Sequence, residues 1–261
     1  MRLETTIELR DVGFRYPSGL TALDRVSLSV SKGEIVSLIG PSGCGKSTLL
    51  NVVSGLLNPR AGQILLDSKD VADRRGWFAY MPQKDGLLPW RTSAGNAALL
   101  LEMAGVRKPD ARRQALEMLE QFDLGSFAGS RPDALSGGMR QRVALIRTFL
   151  PGRDVLLDEP FGALDAITRS DLQLWLLDLQ ERTGQSVLMV THDIEEAILL
   201  SDRIYVMSPR PGRILACVEV PSGRPRSYEI LQSQEFGRVK TELLRVLRDG
   251  IANNPDIGQV A

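Results

Sequence analysis

The sequence predicts an α/β fold: a parallel-sheet core that binds phosphate, an antiparallel β subdomain on its N-terminal side, and a helical subdomain inserted before the core resumes. Three observations predict it. Residues 35–39, IVSLI, form an apolar run without polar alternation, the pattern of a strand buried on both faces. Gly40, Pro41, Ser42, Gly43, Cys44, Gly45, Lys46 and Ser47 follow, a glycine-rich loop closed by lysine and a hydroxyl, and Thr48 begins the predicted helix. Two further buried-strand patterns, 155–157 and 186–190 (apolar from Val187), end in Asp158-Glu159 and in Thr191-His192-Asp193, so three strand ends are expected at one edge.

Composition bounds the possibilities. The 261 residues suit one domain with an appended piece, and 43% hydrophobic with 25% charged residues is ordinary for a globular protein. Lys plus Arg and Asp plus Glu both number 32, so charge gives no reason to expect a nucleic-acid partner. No run approaches the roughly 18 apolar residues of a membrane span, and no signal peptide precedes Glu4; the expected compartment is the cytosol. The two cysteines, Cys44 and Cys217, lack metal-ligand spacing and are expected as reduced thiols.

Each element has its own local reason. Residues 6–10 and 26–30 alternate apolar and polar side chains, as half-buried antiparallel strands do, and 14–19 carry a turn signal with the aromatic pair Phe14 and Tyr16. In the phosphate loop, glycines let backbone N–H groups converge on phosphate oxygens, Lys46 reaches the β and γ phosphates, and the Ser47 hydroxyl suits Mg²⁺. Residues 62–67 read as a hairpin strand and 77–83 as another, ended by Pro82 and followed by Gln83. The cluster Leu87-Leu88-Pro89-Trp90 reads equally as local packing or as a partner anchor. Residues 93–127 look helical, with Ala115, Met118, Leu119 and Phe122 on one stripe preceded by Pro109 and Asp110 as a helix start.

Ser136 reads as an N-cap, and Gly137 and Gly138 expose helix-start N–H groups, a second potential anion site. Residues 172–179 place Leu172, Trp175, Leu176 and Leu179 on one helix face; strands are expected from 204 and through 220, a proline-rich hinge at 221–225, and a charged amphipathic helix over about 228–249. The last dozen residues, rich in Asn, Pro and Gly, are expected to be disordered.

Taken together these motifs resemble the ATP-binding subunit of an ABC transporter along nearly the whole chain. The phosphate loop resembles Walker A, residues 135–142 (LSGGMRQR) the ABC signature, and Asp158-Glu159 Walker B with its catalytic glutamate. Gln83 then corresponds to the Q-loop, Ala163-Leu164-Asp165 to the D-loop, His192 to the switch histidine and Tyr16 to the adenine-stacking aromatic. The run DEPFGALD and Leu87-Leu88-Pro89-Trp90 are similar to import ATPases for nitrate, sulfonates and taurine, and residues 80–83 also to pyrimidine-precursor importers.

The resemblance implies a RecA-like phosphate-loop NTPase core within a single ABC ATPase domain over 1–261, its helical subdomain near 88–145. It implies ATP and Mg²⁺ as ligands: Tyr16, residues 40–48 and Ser136, Gly137 and Gly138 on the nucleotide, Ser47, Gln83 and Asp158 on the metal, and Glu159, His192 and Gln83 in hydrolysis. The implied partners are a second copy of the chain in an ATP sandwich, permease subunits contacted through residues 83–90, and indirectly a solute-binding protein. The implied place is the cytoplasmic face of the membrane. One departure stands out: three apolar residues, not the family's usual four, precede Asp158, and the Pro151-Gly152 turn is expected to absorb the difference. DNA- or ribosome-directed ABC ATPases fit poorly, since the length has no room for a coiled-coil insert or a second ATP module. A low-turnover nucleotide switch is the remaining rival if the short strand displaces Glu159.

Overall fold

A computed structural model of the chain describes residues 4–162, 164–221, 223 and 226–252. Ala163 of the expected D-loop, most of the expected hinge, and the expected disordered tail from 253 onward lie outside the described residues. In chain order the elements are β1 (Thr5–Arg15), β2 (Thr21–Ser31), β3 (Ile35–Ile39), α1 (Lys46–Val53), β4 (Ala61–Leu66), β5 (Lys69–Asp70) and β6 (Ala79–Met81). The helices α2 (Ser93–Ala97), α3 (Leu99–Met103), α4 (Lys108–Gln121) and α5 (Gly137–Phe149) follow. Then come β7 (Val155–Asp158), α6 (Ala166–Thr183), β8 (Val187–Val190), α7 (Ile194–Leu200), β9 (Arg203–Met207), β10 (Ile214–Glu219) and α8 (Gln234–Ala252). These elements form two compact units, one made of the segments up to Trp77 and from Ser186 onward, the other of Phe78–Gln185.

In the first unit, β2, β1, β4 and β5 make an antiparallel sheet in that order. Its centre is apolar because alternate residues face inward: Leu9 pairs with Leu28 on one side and Ile64 on the other, and all three are buried. β3 lies between β8 and β9, parallel to both, with β10 antiparallel on β9. All five residues of β3 are buried, as its unbroken apolar run predicts. α8 closes one side: Phe236, Val239 and Leu243 pack with Ile198, Ile204, Val206 and Val218. Each such fully buried side chain contributes about 1.5–3 kcal/mol.

In the second unit β6 and β7 form a parallel pair, with Ala79 opposite Val155 and Met81 opposite Leu157. α4 buries Ala115, Met118 and Leu119, the expected stripe. Phe122 meets Trp175 of α6 edge-on, ring centroids 5.1 Å apart, while Arg142 and Arg182 lie over Trp175 and Phe122.

Several expectations need correction. The strand expected at 6–10 runs on to Arg15, so the turn follows Tyr16. The helix after the phosphate loop starts at Lys46 rather than Thr48. The strand expected over 77–83 shrinks to Ala79–Met81. The helical stretch expected over 93–127 holds three α-helices with two breaks: α2 and α3 part at Ala98, and Gly105 at φ 88° parts α3 from α4, which begins at Lys108 beside the expected start at Pro109 and Asp110.

Candidate active site

The phosphate loop belongs wholly to the first unit. Gly45 is the N-cap of α1 at φ 111°, a conformation that a side chain resists, and a Cβ there would meet the Ala22 carbonyl at 2.9 Å. α1 has no acidic residue in its first turn, so its positive end stays available to an anion. Lys46 is buried, and its Nζ donates to the Gly40 carbonyl at 2.7 Å and the Pro41 carbonyl at 3.0 Å, which curls the ammonium over the loop. Ser42, Gly43 and Ser47 are exposed. Cys44 is buried within the loop; burial pushes its thiol above the usual range, partly offset by Lys46, so it is a poor nucleophile at neutral pH.

Tyr16 and His192 lie in the same unit. Tyr16 is half-buried, stands edge-on to Phe14 at 4.9 Å, and shares a 2.9 Å hydrogen bond between its hydroxyl and Thr48 Oγ1. Leu38 of β3 is register partner to Val190 of β8, so Gly40 and His192, each two residues on, leave neighbouring parallel strands at one edge. Thr191 Oγ1 accepts from the Asp193 N–H at 3.0 Å, and Asp193 caps α7 by accepting from Glu195 and Glu196. His192 is thereby presented, exposed, between a strand end and a helix cap.

The second unit carries the carboxylates and the signature. Asp158 ends β7 and is buried; the Tyr80 hydroxyl donates to its Oδ2 at 3.4 Å. Burial, then the Asp158 charge and this bond, raise the Tyr80 phenol well above its ordinary value and keep it a donor. Glu159 follows at φ 47°, a left-handed conformation uncommon for a glutamate, and its Oε2 accepts from Gln83 Nε2 at 3.1 Å. Ser136 caps α5 by accepting from the Met139 N–H at 3.2 Å. The first turn of α5 also lacks acidic residues, leaving Ser136 and Gly137 exposed at a second positive helix end. A Cβ on Gly138 would meet Thr168 Cγ2 at 2.7 Å, so any side chain there would have to push Thr168 of α6 aside.

Sequence reasoning missed four side chains that hold these groups. Gln141 donates to the Pro160 carbonyl, beside Glu159. Arg147, buried, donates to the Gly86 carbonyl at 2.8 Å and to the Asp85 carbonyl, and Arg140 pairs with the Asp85 carboxylate at 3.4 Å. Tyr80 is the fourth. The signal was a polar residue on a buried helical stripe, Arg147 lying four residues after buried Val143. Within the 87–90 cluster Leu87 is buried and Leu88 half-buried, so local packing runs through the leucines, while Trp90 is 70% exposed.

Residues 23–162 match the family described as ABC transporter. The taurine import ATP-binding protein TauB of Rhizobium johnstonii is 42% identical over 241 residues, 89% of this chain and 91% of that protein. The chain belongs to the ABC transporter family. TauB of Yersinia pestis is 43% identical over 207 residues, 79% of this chain and 81% of that protein. Among solved structures, a dimeric bacterial ABC transporter cassette aligns with TM-score 0.71 at 33% identity, covering 83% of this chain and all of that one. A post-hydrolysis state of the same kind of cassette, bound to ADP and Pi, aligns with TM-score 0.71 at 32% identity over the same share. This ABC chain therefore has the phosphate-loop NTPase fold and is an ATP-hydrolysing subunit.

Proposed function

We propose that this chain hydrolyses Mg²⁺-ATP to drive uptake of a small solute, taurine-, sulfonate- or nitrate-like, through a membrane permease on whose cytoplasmic face it sits. The observation that carries the reading is the phosphate loop itself: left-handed Gly45 opening α1, with the Lys46 ammonium curled over the Gly40 and Pro41 carbonyls. The solute class is supported by relatives named for taurine import. No helix among the described residues is long and apolar enough to cross a membrane, so attachment to the bilayer would run through the permease.

In this reading Tyr16 stacks on adenine, and the N–H groups of residues 40–48 receive the phosphates. Two copies sandwich ATP, with Ser136, Gly137 and Gly138 of the second copy facing the γ-phosphate; the solved relative described as a dimeric cassette supports the two-copy assembly. Glu159 polarises the attacking water, with Gln83 holding the carboxylate, and His192 positions water and γ-phosphate. Ser47, Gln83 and Asp158 offer oxygen atoms alone, and no cluster of three His, Cys, Asp or Glu among the described residues would hold a metal unaided. That donor set fits Mg²⁺, which keeps its waters and substrate phosphates as ligands. When bound, it neutralises charge on the β and γ oxygens. Exposed Trp90 docks on the permease, and the solute-binding protein is engaged only through that permease.

Lys46→Ala tests the reading. The variant is expected to lose binding of a fluorescent ATP analogue and all measurable hydrolysis, because a methyl group offers phosphate no charge. Hydrolysis at the wild-type rate would remove the phosphate-loop assignment.

A further inference from the structure

The turn between β9 and β10, residues 208–213 with the sequence SPRPGR, has no part in the machinery described above, yet it is built onto the phosphate loop. The Arg210 guanidinium donates to the Gly43 carbonyl twice, from Nε at 3.1 Å and Nη2 at 2.9 Å. The turn is itself fixed: Ser208 Oγ accepts from the Arg213 N–H at 3.0 Å, and its one proton is shared between the Pro209 carbonyl at 2.8 Å and the Pro211 carbonyl at 3.1 Å. The Gly212 N–H donates to the Ala22 carbonyl at 2.9 Å, and the Gly212 carbonyl accepts from the Asp24 N–H at 3.0 Å. Arg213 pairs with the Asp24 carboxylate. A Cβ on Gly212 would overlap the Cys44 carbonyl and the Met207 side chain, and one on Gly40 would meet the Met207 carbonyl at 2.9 Å. Glycine at both positions thus lets the turn and the loop touch backbone to backbone.

The consequence lies in the Gly43–Cys44 peptide. In a trans peptide the carbonyl and the N–H point to opposite sides. With the Gly43 carbonyl held by Arg210, the Cys44 N–H is fixed on the other face. There it donates to the Pro41 carbonyl at 3.3 Å, beyond the usual range for such a bond and weak enough to yield to a phosphate oxygen. Gly43 sits at φ 74° and, like any glycine, would otherwise turn this peptide freely.

We propose that Arg210 is a positioning residue for nucleotide binding, which orients the Gly43–Cys44 peptide so that its N–H is ready to receive phosphate. It acts through the loop and sets affinity more than turnover. The proposal rests on the ATP reading of the phosphate loop. Arg210 is exposed, so replacing it leaves the core untouched.

The test uses the full chain, with Arg210→Met and Arg210→Lys measured for equilibrium binding of the fluorescent analogue MANT-ATP, for KM and kcat of ATP hydrolysis, and for melting temperature. Arg210→Met is expected to weaken MANT-ATP binding and raise KM about five- to tenfold, with kcat within about twofold of wild type and no more than about 2 °C change in melting. Arg210→Lys, which keeps the charge but loses the planar two-point grip, is expected to fall between wild type and Arg210→Met. Unchanged MANT-ATP affinity in Arg210→Met would overturn the proposal while leaving the ATP reading intact, and so would full rescue by lysine, since charge alone would then suffice. A fall in kcat matching the rise in KM, together with a lower melting temperature, would make Arg210 a brace of the fold and overturn it too. If the wild-type chain itself failed to bind MANT-ATP, the ATP reading would fail and the proposal with it.

Discussion

Asp158 and Glu159 are neighbours in sequence held in opposite ways. Asp158 is buried at the end of β7 under the Tyr80 hydroxyl, whereas Glu159 turns out through a left-handed residue to meet Gln83. The raised pKa of Tyr80 has a consequence for stability. Above about pH 10 the unfolded phenol ionises while the folded one keeps its proton, so its contribution is fully present below that pH and is lost as pH rises. Wild type is therefore expected to lose more stability between pH 9 and pH 11 than Tyr80→Phe, measured by urea denaturation at each pH. Equal losses would show that Tyr80 is not buried against Asp158. Neither Tyr80 nor Gln141 was legible as a holding residue in the sequence, because a single polar side chain in an apolar run does not say what it faces. The turn at Gly43 and Gly45, the Ser136 cap and the buried strand that ends at Asp158 were legible because each has a local reason: positive φ, an N-cap, or an unbroken apolar run.

At the scale of elements, strands were read well where burial was two-sided, as in β3 and β7, and badly where tertiary pairing set the ends. β6 is short because only Ala79, Tyr80 and Met81 find partners on β7, although the apolar pattern runs further. In the helical stretch after Ser93 the start of α4 was legible from Pro109 and Asp110, whereas the break at Ala98 was not, because alanine carries no helix-stop signal. α5 shows what pattern cannot supply. Its N-terminus is the Ser136 cap, while Arg140 and Arg147 along its length hold the segment at Asp85 and Gly86 that leads from Gln83 toward Trp90. Burial lowers the Arg147 pKa from its usual value, with Asp85 acting against that shift, and the guanidinium stays charged. Trp90 itself tests the docking role. Being 70% exposed, Trp90→Ala is expected to change folding stability by no more than about 0.5 kcal/mol and to cost about 2 kcal/mol or more in association with the permease. Pull-down from detergent-solubilised membranes beside thermal melting checks both, and unaltered permease capture with a lowered melting temperature would place Trp90 in the fold's support instead.

At the scale of the molecule, the phosphate loop belongs to one compact unit and the carboxylates with the signature helix to the other. Each unit presents a helix N-terminus free of acidic residues, α1 after Gly45 and α5 after Ser136. Two anion-seeking ends in one chain are what an ATP sandwich between two copies requires, and the dimeric cassette among the solved relatives accords with it. Glu159→Gln tests this account most directly. Glutamine is nearly isosteric, so β7 and Asp158 survive, but an amide is no base toward water, and loss of general-base help costs roughly 10²- to 10⁴-fold in rate. The variant is expected to bind ATP, to lose turnover by that factor, and to elute as a dimer in size-exclusion chromatography with ATP and as a monomer with ADP. Hydrolysis at the wild-type rate, or a monomer at saturating ATP, would contradict it.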